Sequence, residues 1–249
     1  SSTFTIDDSR NQVLKLADNG TLTTFSGPRG NSIASLIQTS DGNILAGIDN
    51  HVFRGKDNGS PFSDLGALIS NGEITQLLVL SNGAILAATN NGAKIYQSAD
   101  QGNNWTALAP FVTTTAAGDT AKAMLQNADG LLVGAYLNGE PRIYRSANFG
   151  VTWKQVYAKN TVGLVHAMII SNGVTYAGVG NLIGEGFVIK SYNNGINWTE
   201  TTSLPSGSAG VLSFLRTDDG LVAGTMLSGK IYQSQEPVLS GGGQMTVNI

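Results

Sequence analysis

The chain has 249 residues and a net charge of −3, and only 12% of its residues are charged. No run of like charges offers a footprint for nucleic acid, and no stretch approaches the roughly 18 apolar residues that would span a bilayer. Cysteine is absent, which excludes disulfides, thiolate metal sites and a cysteine nucleophile.

The predicted elements begin with three short strands, over residues 3–6, 12–16 and 21–25. The segment Asp18-Asn19-Gly20 separates the last two strands, as a tight turn would. These are predicted to be the second, third and fourth strands of a unit that has no first strand of its own. The 32 glycines of the chain, against 6 prolines, predict short strands and tight turns throughout.

An Asp-Gly or Asn-Gly pair followed by an apolar run then recurs along the chain. The pairs are Asp41-Gly42, Asn82-Gly83, Asp129-Gly130, Asn172-Gly173 and Asp219-Gly220, at spacings of 41, 47, 43 and 47 residues. Such a pair is a strong hairpin signal, because a type I′ turn needs positive φ at both central residues. A β-hairpin is therefore predicted to open each repeated unit.

Each unit is predicted to contain four strands, as residues 74–120 illustrate. The strands are predicted over residues 74–80, 85–88, 93–97 and 105–108. Apolar runs such as residues 77–80 and 168–170 hardly alternate with polar residues, which predicts that the first strands are buried on both faces. The units extend over residues 32–73, 74–120, 121–163, 164–209 and 210–240.

A four-stranded unit repeated every 40 to 50 residues predicts an all-β fold, a single β-propeller of antiparallel blades over residues 1–249. Six blades are expected if residues 244–249 supply the missing first strand to residues 1–31. The terminal strands would then close the ring and remove an exposed edge. Five blades with an N-terminal tail are the alternative.

Three of the units contain an eight-residue pattern, Ser-x-Asp/Asn-x-Gly-x-x-Trp, between their third and fourth strands. Its residues are Ser98, Asp100, Gly102 and Trp105, then Ser146, Asn148, Gly150 and Trp153, then Ser191, Asn193, Gly195 and Trp198. The Asp or Asn side chain is expected to accept a hydrogen bond from the backbone two residues on, while the Gly adopts positive φ. The Trp ring would be buried against the neighbouring sheet, so the pattern is predicted to be structural.

These copies resemble the Asp-box, also called the bacterial neuraminidase repeat, although only the first copy has Asp. The family includes sialidases, other glycan-cleaving propellers, receptor ectodomains, assembly factors and phage surface proteins. The resemblance implies a propeller and places these turns on the rim opposite the ligand-binding face. The residues that sialidase chemistry needs, three arginines around the substrate and an Arg-Ile-Pro motif, do not map onto this chain.

The opposite face would be built from the loops between second and third strands and from the long connections between units. Its candidate ligand contacts are Tyr136, Asn138, Tyr157, His166 and Gln76, with Phe62 and Phe111. Two of them belong to a ring found seven positions before each hairpin Gly, which comprises Ser35, Gln76, Ala123, His166 and Ser213. Glycoside hydrolysis would need two facing carboxylates, for which the weak candidates are Asp119, Glu140, Glu73 and Glu185.

Without a mapped catalytic set, the chain is predicted to be a non-catalytic surface or receptor-recognition domain that binds a glycan or a protein. No cofactor, metal or nucleic-acid partner is expected. The alternatives are a glycoside hydrolase that uses two loop carboxylates and a scaffold subunit of a virion or larger complex. Low charge with many Ser, Thr and Asn residues favours a secreted or virion-surface location. The start without Met is expected of a mature product or a piece of a longer chain.

Overall fold

The structure is a computed structural model, and it describes residues 2–7, 12–17, 21–25, 33–56, 61–113, 115–181, 186–201, 204, 209–217, 220–226, 230–234 and 245–246. Every regular element in these residues is a β-strand, and the strands form six antiparallel sheets. The all-β prediction is therefore confirmed. The chain divides into two compact bodies, Ser1–Leu108 and Ala109–Ile249, which we call the N-terminal and C-terminal bodies.

The N-terminal body contains three sheets, each with its strands in chain order. The first sheet has three strands, β1 (Ser2–Asp7), β2 (Gln12–Ala17) and β3 (Leu22–Phe25). The second has β4 (Ile33–Gln38), β5 (Asn43–Ile48), β6 (His51–Lys56) and β7 (Ser63–Ala67). The third has β8 (Ile74–Val79), β9 (Ile85–Thr89), β10 (Ile95–Ser98) and β11 (Thr106–Ala107), which confirms the predicted strand order.

The C-terminal body contains three four-stranded sheets of the same design. Its first sheet has β12 (Thr120–Asn127), β13 (Gly130–Leu137), β14 (Glu140–Ser146) and β15 (Lys154–Ala158). The next has β16 (Leu164–Ser171), β17 (Val174–Gly180), β18 (Gly186–Ser191) and β19 (Thr199–Glu200). The last has β20 (Val211–Thr217), β21 (Gly220–Thr225), β22 (Ile231–Ser234) and β23 (Met245–Thr246).

The C-terminal strand does not complete the first sheet, contrary to the prediction for residues 244–249. β23 pairs with β22, with Gln233 opposite Thr246 and Ser234 opposite Met245. β1 lies against β4, as β4 lies against β8, so β1 occupies the position of a first strand. Among the described residues the first sheet therefore has no fourth, outer strand, and β23 covers an edge of β22 that would otherwise be unpaired.

The first strands are less buried than predicted, and in each sheet from β4 onward the second strand is the most deeply buried. Every residue of β9 is buried, whereas β8 and β16 each contain several half-buried positions. A second strand is flanked by strands on both sides and covered by side chains on both faces, which explains its uniform burial. In the C-terminal body the core includes Leu132, Ile143, Val165 and Ile189, all at 0% exposure.

A small residue in the second strand receives a branched side chain from the first strand of the next sheet. The pairs are Ile74 against Gly47, Val165 against Gly134 and Val211 against Gly178. A Cβ atom added at Gly134 would lie 2.5 Å from Cγ1 of Val165, closer than real Cβ contacts allow. Sheet-to-sheet packing thus depends on a missing side chain. The sequence signal, an apolar pair followed by Gly, recurs as Leu45-Ala46-Gly47 and Leu132-Val133-Gly134.

The hairpins between first and second strands are of more than one kind, whereas one kind was predicted. Asn172 and Gly173 have φ of 49° and 77°, as a type I′ turn requires. At Asp41-Gly42 only the Gly has positive φ, and its N–H donates to the carbonyl of Thr39 at 2.9 Å. Such a turn is one residue longer and ends in a left-handed Gly. Asp219 lies outside the described residues.

Candidate functional site

The eight-residue turns share one pattern of hydrogen bonds, seen first around Asp100. The Ser98 hydroxyl donates to Asp100 Oδ1 and accepts the N–H of Gly102, both at 2.8 Å. Asp100 Oδ1 also accepts the N–H of Asn104 at 2.8 Å. The backbone donor to the Asp side chain is thus four residues on, not two as predicted, because the intervening Gln101 and Gly102 both have positive φ.

The Asn residues of the other two turns accept the same bonds. Asn148 Oδ1 accepts the N–H of Thr152 at 2.8 Å, and Asn193 Oδ1 accepts the N–H of Asn197 at 2.9 Å. An amide oxygen therefore replaces a carboxylate oxygen without loss of the turn. The positive φ before the Gly recurs at Phe149 and Asn194, so any residue type at this position must tolerate a left-handed backbone.

The three Trp side chains are half-buried and do not all bind the same partner. The indole N–H groups of Trp105 and Trp198 donate to the Gly carbonyl of their own turns, at 3.0 and 3.1 Å. Trp153 instead donates to the carbonyl of Ala109, which lies 44 residues earlier. Phe111 packs against the Trp153 ring at 5.8 Å and is 8% exposed, so this predicted ligand contact is part of the core.

Replacing Asp100 by Asn is expected to reduce the loss of stability in acid. Hydrogen bonds from the Asn104 backbone, the Asn104 amide and the Ser98 hydroxyl lower the pKa of Asp100 from 3.8 to about 2. A carboxylate whose pKa is lower in the folded state stabilises the fold above its unfolded pKa and loses that effect as the pH falls toward the folded pKa. Urea unfolding at successive pH values should show a shallower decline from 3.8 to about 2 for the variant.

The matched substitution is Asn148→Asp, which places a carboxylate in the second turn. This variant should acquire an additional acid-dependent loss of unfolding free energy, because the same backbone N–H and hydroxyl donors surround position 148. Identical pH profiles for the wild type, Asp100→Asn and Asn148→Asp would contradict this account of the turn.

A cleft of about 470 Å³ lies in the C-terminal body, at the strand ends opposite the eight-residue turns. Its lining comes from the starts of β12 and β16, the ends of β13, β17 and β21 and the adjoining connections. The lining residues are Gly118, Thr120, Tyr136, Val162, Gly163, Leu164, His166, Gly180, Asn181 and Met226. Two predicted ligand contacts, Tyr136 and His166, therefore share one cleft.

A β-bulge near the start of each first strand from β4 onward sets the direction of the side chains at this rim. The bulged residues are Ala34, Thr75, Lys122, His166 and Leu212. Counting seven residues back from the hairpin Gly reaches the bulged residue His166, but in the other copies it stops one residue short of the bulge. The reason is the turn after β16, whose Gly comes one position earlier than the other hairpin glycines do. Bulges of this kind re-aim side chains next to functional sites.

His166 has a defined contact on one edge of its ring. Its Nε2 lies 3.2 Å from the carbonyl oxygen of Gly180. A Cβ added at Gly210 would lie 2.9 Å from Nε2 and 3.1 Å from Cδ2, so Gly210 packs closely against the same edge. Burial lowers the pKa of His166, and the positive charge of Lys122 lowers it further, while the bond to Gly180 opposes both. The neutral imidazole is favoured.

The other predicted ligand contacts are placed elsewhere. The backbone N–H of Asn138 donates to Asp119 at 2.9 Å, and the Asn138 side chain is not part of the cleft lining. Gln76 lies in β8 of the N-terminal body, whereas every lining residue belongs to the C-terminal body. Phe62, also in the N-terminal body, packs against a core cluster.

Tyr157, predicted as a ligand contact on the face built from loops and connections, lies within β15. Its hydroxyl donates to Glu200 Oε1 at 3.2 Å, and burial, followed by the charge of Glu200, raises the pKa of Tyr157 well above its ordinary range. Lys159 binds the other Glu200 oxygen at 2.8 Å and lies 4.1 Å from the ring centre of Phe187. These contacts fasten β15 to the adjacent sheet, and Tyr157 is not part of the cleft lining.

Three of the four weak catalytic candidates serve as hydrogen-bond or ion-pair partners. Asp119 is 2% exposed and accepts the N–H groups of Asn138 and Ala116 at 2.9 and 2.7 Å. Glu140 pairs with Arg142 at 2.9 Å. Glu73 exchanges bonds with the side chain of one Asn in the N-terminal body, and Glu185 lies outside the described residues. The described residues bring no three His, Asp or Glu side chains together to share a metal ion.

Comparisons with known proteins identify a fold and no family. No family model and no curated protein matches the chain. Among solved structures, inactive virginiamycin B lyase from Staphylococcus aureus with quinupristin has a TM-score of 0.73 at 14% identity, over 93% of this chain and 75% of the lyase. YCF48 bound to a D1 peptide has a TM-score of 0.62 at 18% identity, over 99% of this chain and 81% of that chain.

A third similar structure is the nidogen/laminin complex, with a TM-score of 0.65 at 11% identity, over 92% of this chain and 86% of that chain. These neighbours are β-propellers, so this chain has the β-propeller fold. Identities this low carry nothing beyond the fold. The part of the chain that the structure describes contains no helix long and apolar enough to cross a membrane.

Proposed function

We propose that this chain is a non-catalytic recognition propeller of the Asp-box type, and that it binds an extended peptide segment of a protein partner. The observation that carries the proposal is the cleft at the rim opposite the eight-residue turns. A cleft of about 470 Å³ falls within the range of sites that hold small ligands or peptide side chains. A surface or secreted location, suggested by composition, is part of the same proposal.

The chemistry of the lining favours a peptide over a glycan. Val162, Leu164 and Met226 present apolar side chains, and Tyr136 adds an aromatic ring. One of the two amide N–H donors of Asn181 is used within the wall, where it donates to the carbonyl of Val162 at 2.9 Å. A sugar needs several polar partners for its hydroxyl groups, whereas an apolar peptide side chain gains from burial alone.

Two of the similar structures are consistent with a protein ligand. YCF48 was solved with a D1 peptide, and the nidogen structure is a complex with laminin. The described acids support binding more than catalysis, because Asp119 and Glu140 already have hydrogen-bond or ion-pair partners. A role as subunit of a larger assembly would use the same kind of contact.

The test is peptide selection with a matched pair of valine substitutions. Val162 lines the cleft and is 59% exposed, while Val151 is 67% exposed in an eight-residue turn on the opposite rim. Peptides selected from a displayed random library should lose about 10-fold or more in affinity for Val162→Glu, because a carboxylate would be desolvated in the cleft. Val151→Glu should bind as the wild type does.

Both valines are exposed, so neither substitution should change the unfolding free energy by more than about 0.5 kcal/mol. Equal affinity of both variants for the selected peptides would contradict the proposed site. Failure to select any peptide, together with binding on a glycan array that Val162→Glu abolishes, would assign the cleft to a glycan instead.

A further inference from the structure

One imidazole nitrogen of His166 contacts a backbone carbonyl of the protein, and the other nitrogen points away from that contact. Nε2 lies 3.2 Å from the Gly180 carbonyl oxygen, which can only accept a hydrogen bond. Nε2 must therefore carry the proton in the neutral ring. Because neutral imidazole has a single N–H, Nδ1 is left as an acceptor.

The packing of the ring gives the direction of Nδ1. Gly180 and Gly210 both lie against the edge formed by Nε2 and Cδ2. In a five-membered ring Nδ1 is the atom opposite that edge. His166 is itself a lining residue of the cleft, and no hydrogen bond from a described residue is seen at Nδ1.

From this geometry we infer that Nδ1 of His166 is the specificity-determining acceptor of the cleft, and that the bound segment donates a backbone N–H to it. The inference rests on the proposed peptide-binding function and adds the chemistry of recognition. The surrounding lining of Val162, Leu164 and Met226 is apolar, so an N–H group buried there without an acceptor would be left unpaired. The acceptor therefore selects for a donor at one position of the ligand.

The β-bulge explains why the acceptor is available. In a regular ladder position 166 would pair with β17, but the register passes from Val165 opposite Val179 to Ala167 opposite Gly178. His166 is the extra residue, and its ring is free to turn toward Gly180. The equivalent bulged residue of the preceding sheet is Lys122, the charged group that acts on His166 from β12.

A first measurement requires no ligand. The chain has 2 histidines, so nitrogen NMR of histidine-labelled protein gives two imidazole spectra, which His51→Gln assigns. We expect His166 in the neutral tautomer protonated at Nε2 at pH 7. A tautomer protonated at Nδ1, or a protonated ring at that pH, would overturn the inference while leaving the proposed function standing.

The second measurement uses peptides selected against the wild-type protein and scanned by N-methylation. Methylation at one backbone nitrogen should lower affinity about 10-fold or more for the wild type, because it removes the donor to Nδ1. The same methylation should have little effect on His166→Phe, which keeps a ring but has no nitrogen. His166→Asn, whose Oδ1 can lie near the position of Nδ1, should retain sensitivity to methylation.

The pH dependence of binding separates recognition from a purely structural role. Protonation of Nδ1 turns the acceptor into a donor, so wild-type affinity should fall in acid as His166 titrates, at a pH below the ordinary range of histidine. His166→Asn should show no such fall. An equal fall in both proteins, or equal sensitivity of the wild type and His166→Phe to methylation, would overturn the inference. If no peptide bound to the wild-type protein, the proposed function itself would be rejected.

Discussion

Gly130→Ala should destabilise the C-terminal body by more than about 4 kcal/mol, enough to prevent folding of many domains. Gly130 has φ of 138°, and an added Cβ would lie 2.0 Å from the carbonyl oxygen of Ser146. It would also lie 3.1 Å from Cα of Ala147, so both clashes are with backbone atoms, which cannot move aside as a side chain can. Relief would require β13 and β14 to separate at their first paired residues. Urea unfolding, or the yield of soluble protein, measures the effect.

The control is Gly173→Ala, in the Asn-Gly hairpin between the first and second strands of the next sheet. Gly173 has φ of 77°, but an added Cβ would meet no atom within 4 Å. Its cost is therefore limited to the left-handed backbone, about 1–2 kcal/mol for an L-residue. If Gly130→Ala and Gly173→Ala lowered the unfolding free energy equally, backbone conformation alone would explain both, and the steric account of Gly130 would be wrong.

The second large effect is expected for Gly134→Ala, where one methyl group should cost about 2–3 kcal/mol of unfolding free energy. The added Cβ would lie 2.5 Å from Cγ1 and 2.6 Å from Cβ of Val165, a residue at 0% exposure that has no room to move. Because Val165 is in the first strand of the next sheet, the clash would separate two sheets. Chemical denaturation measures the loss.

A double-mutant cycle identifies the source of that loss. In a Val165→Ala background Cγ1, the closest atom, is absent while Cβ remains, so the added methyl should cost less but not nothing, with a coupling energy of about 1 kcal/mol. Gly224→Ala is the matched control, since its nearest neighbour is the Ser213 hydroxyl at 2.9 Å, which can rotate. Additive losses for Gly134→Ala and Val165→Ala would contradict the proposed packing of the two sheets.

Sequence reasoning was accurate where a local pattern fixes the backbone. Asn172-Gly173 forms the predicted type I′ turn, and the four strands predicted in residues 74–120 correspond to β8, β9, β10 and β11. It was wrong where the pairing of a strand depends on a strand distant in the sequence. Residues 244–249 could be assigned to either of two incomplete sheets on strand count alone, and only the pairing of β23 with β22 distinguishes them.

The sequence predicted at which strand ends the candidate site lies, but not which residues line it. The repeat order indicates which strand ends lie opposite the eight-residue turns, and Tyr136 and His166 are found there. Tyr157 was misplaced because β15 continues to Ala158, and no local signal distinguishes a strand residue from the start of a loop at that point. The bulge at His166 depends on the register of β16 against β17. The number of residues between His166 and the hairpin Gly does not determine that register by itself.

The packing of a branched side chain against a glycine of the neighbouring sheet affects how a chain of such repeats can gain or lose residues. The segment from Val165 to Gly178 carries a protrusion for the sheet before it and a recess for the sheet after it, filled by Val211. An interface of this head-to-tail kind is complementary to a copy of itself. Gene duplication of a whole repeat would therefore deliver both halves of a working contact at once, whereas loss of part of a repeat would leave a protrusion or a recess without its partner.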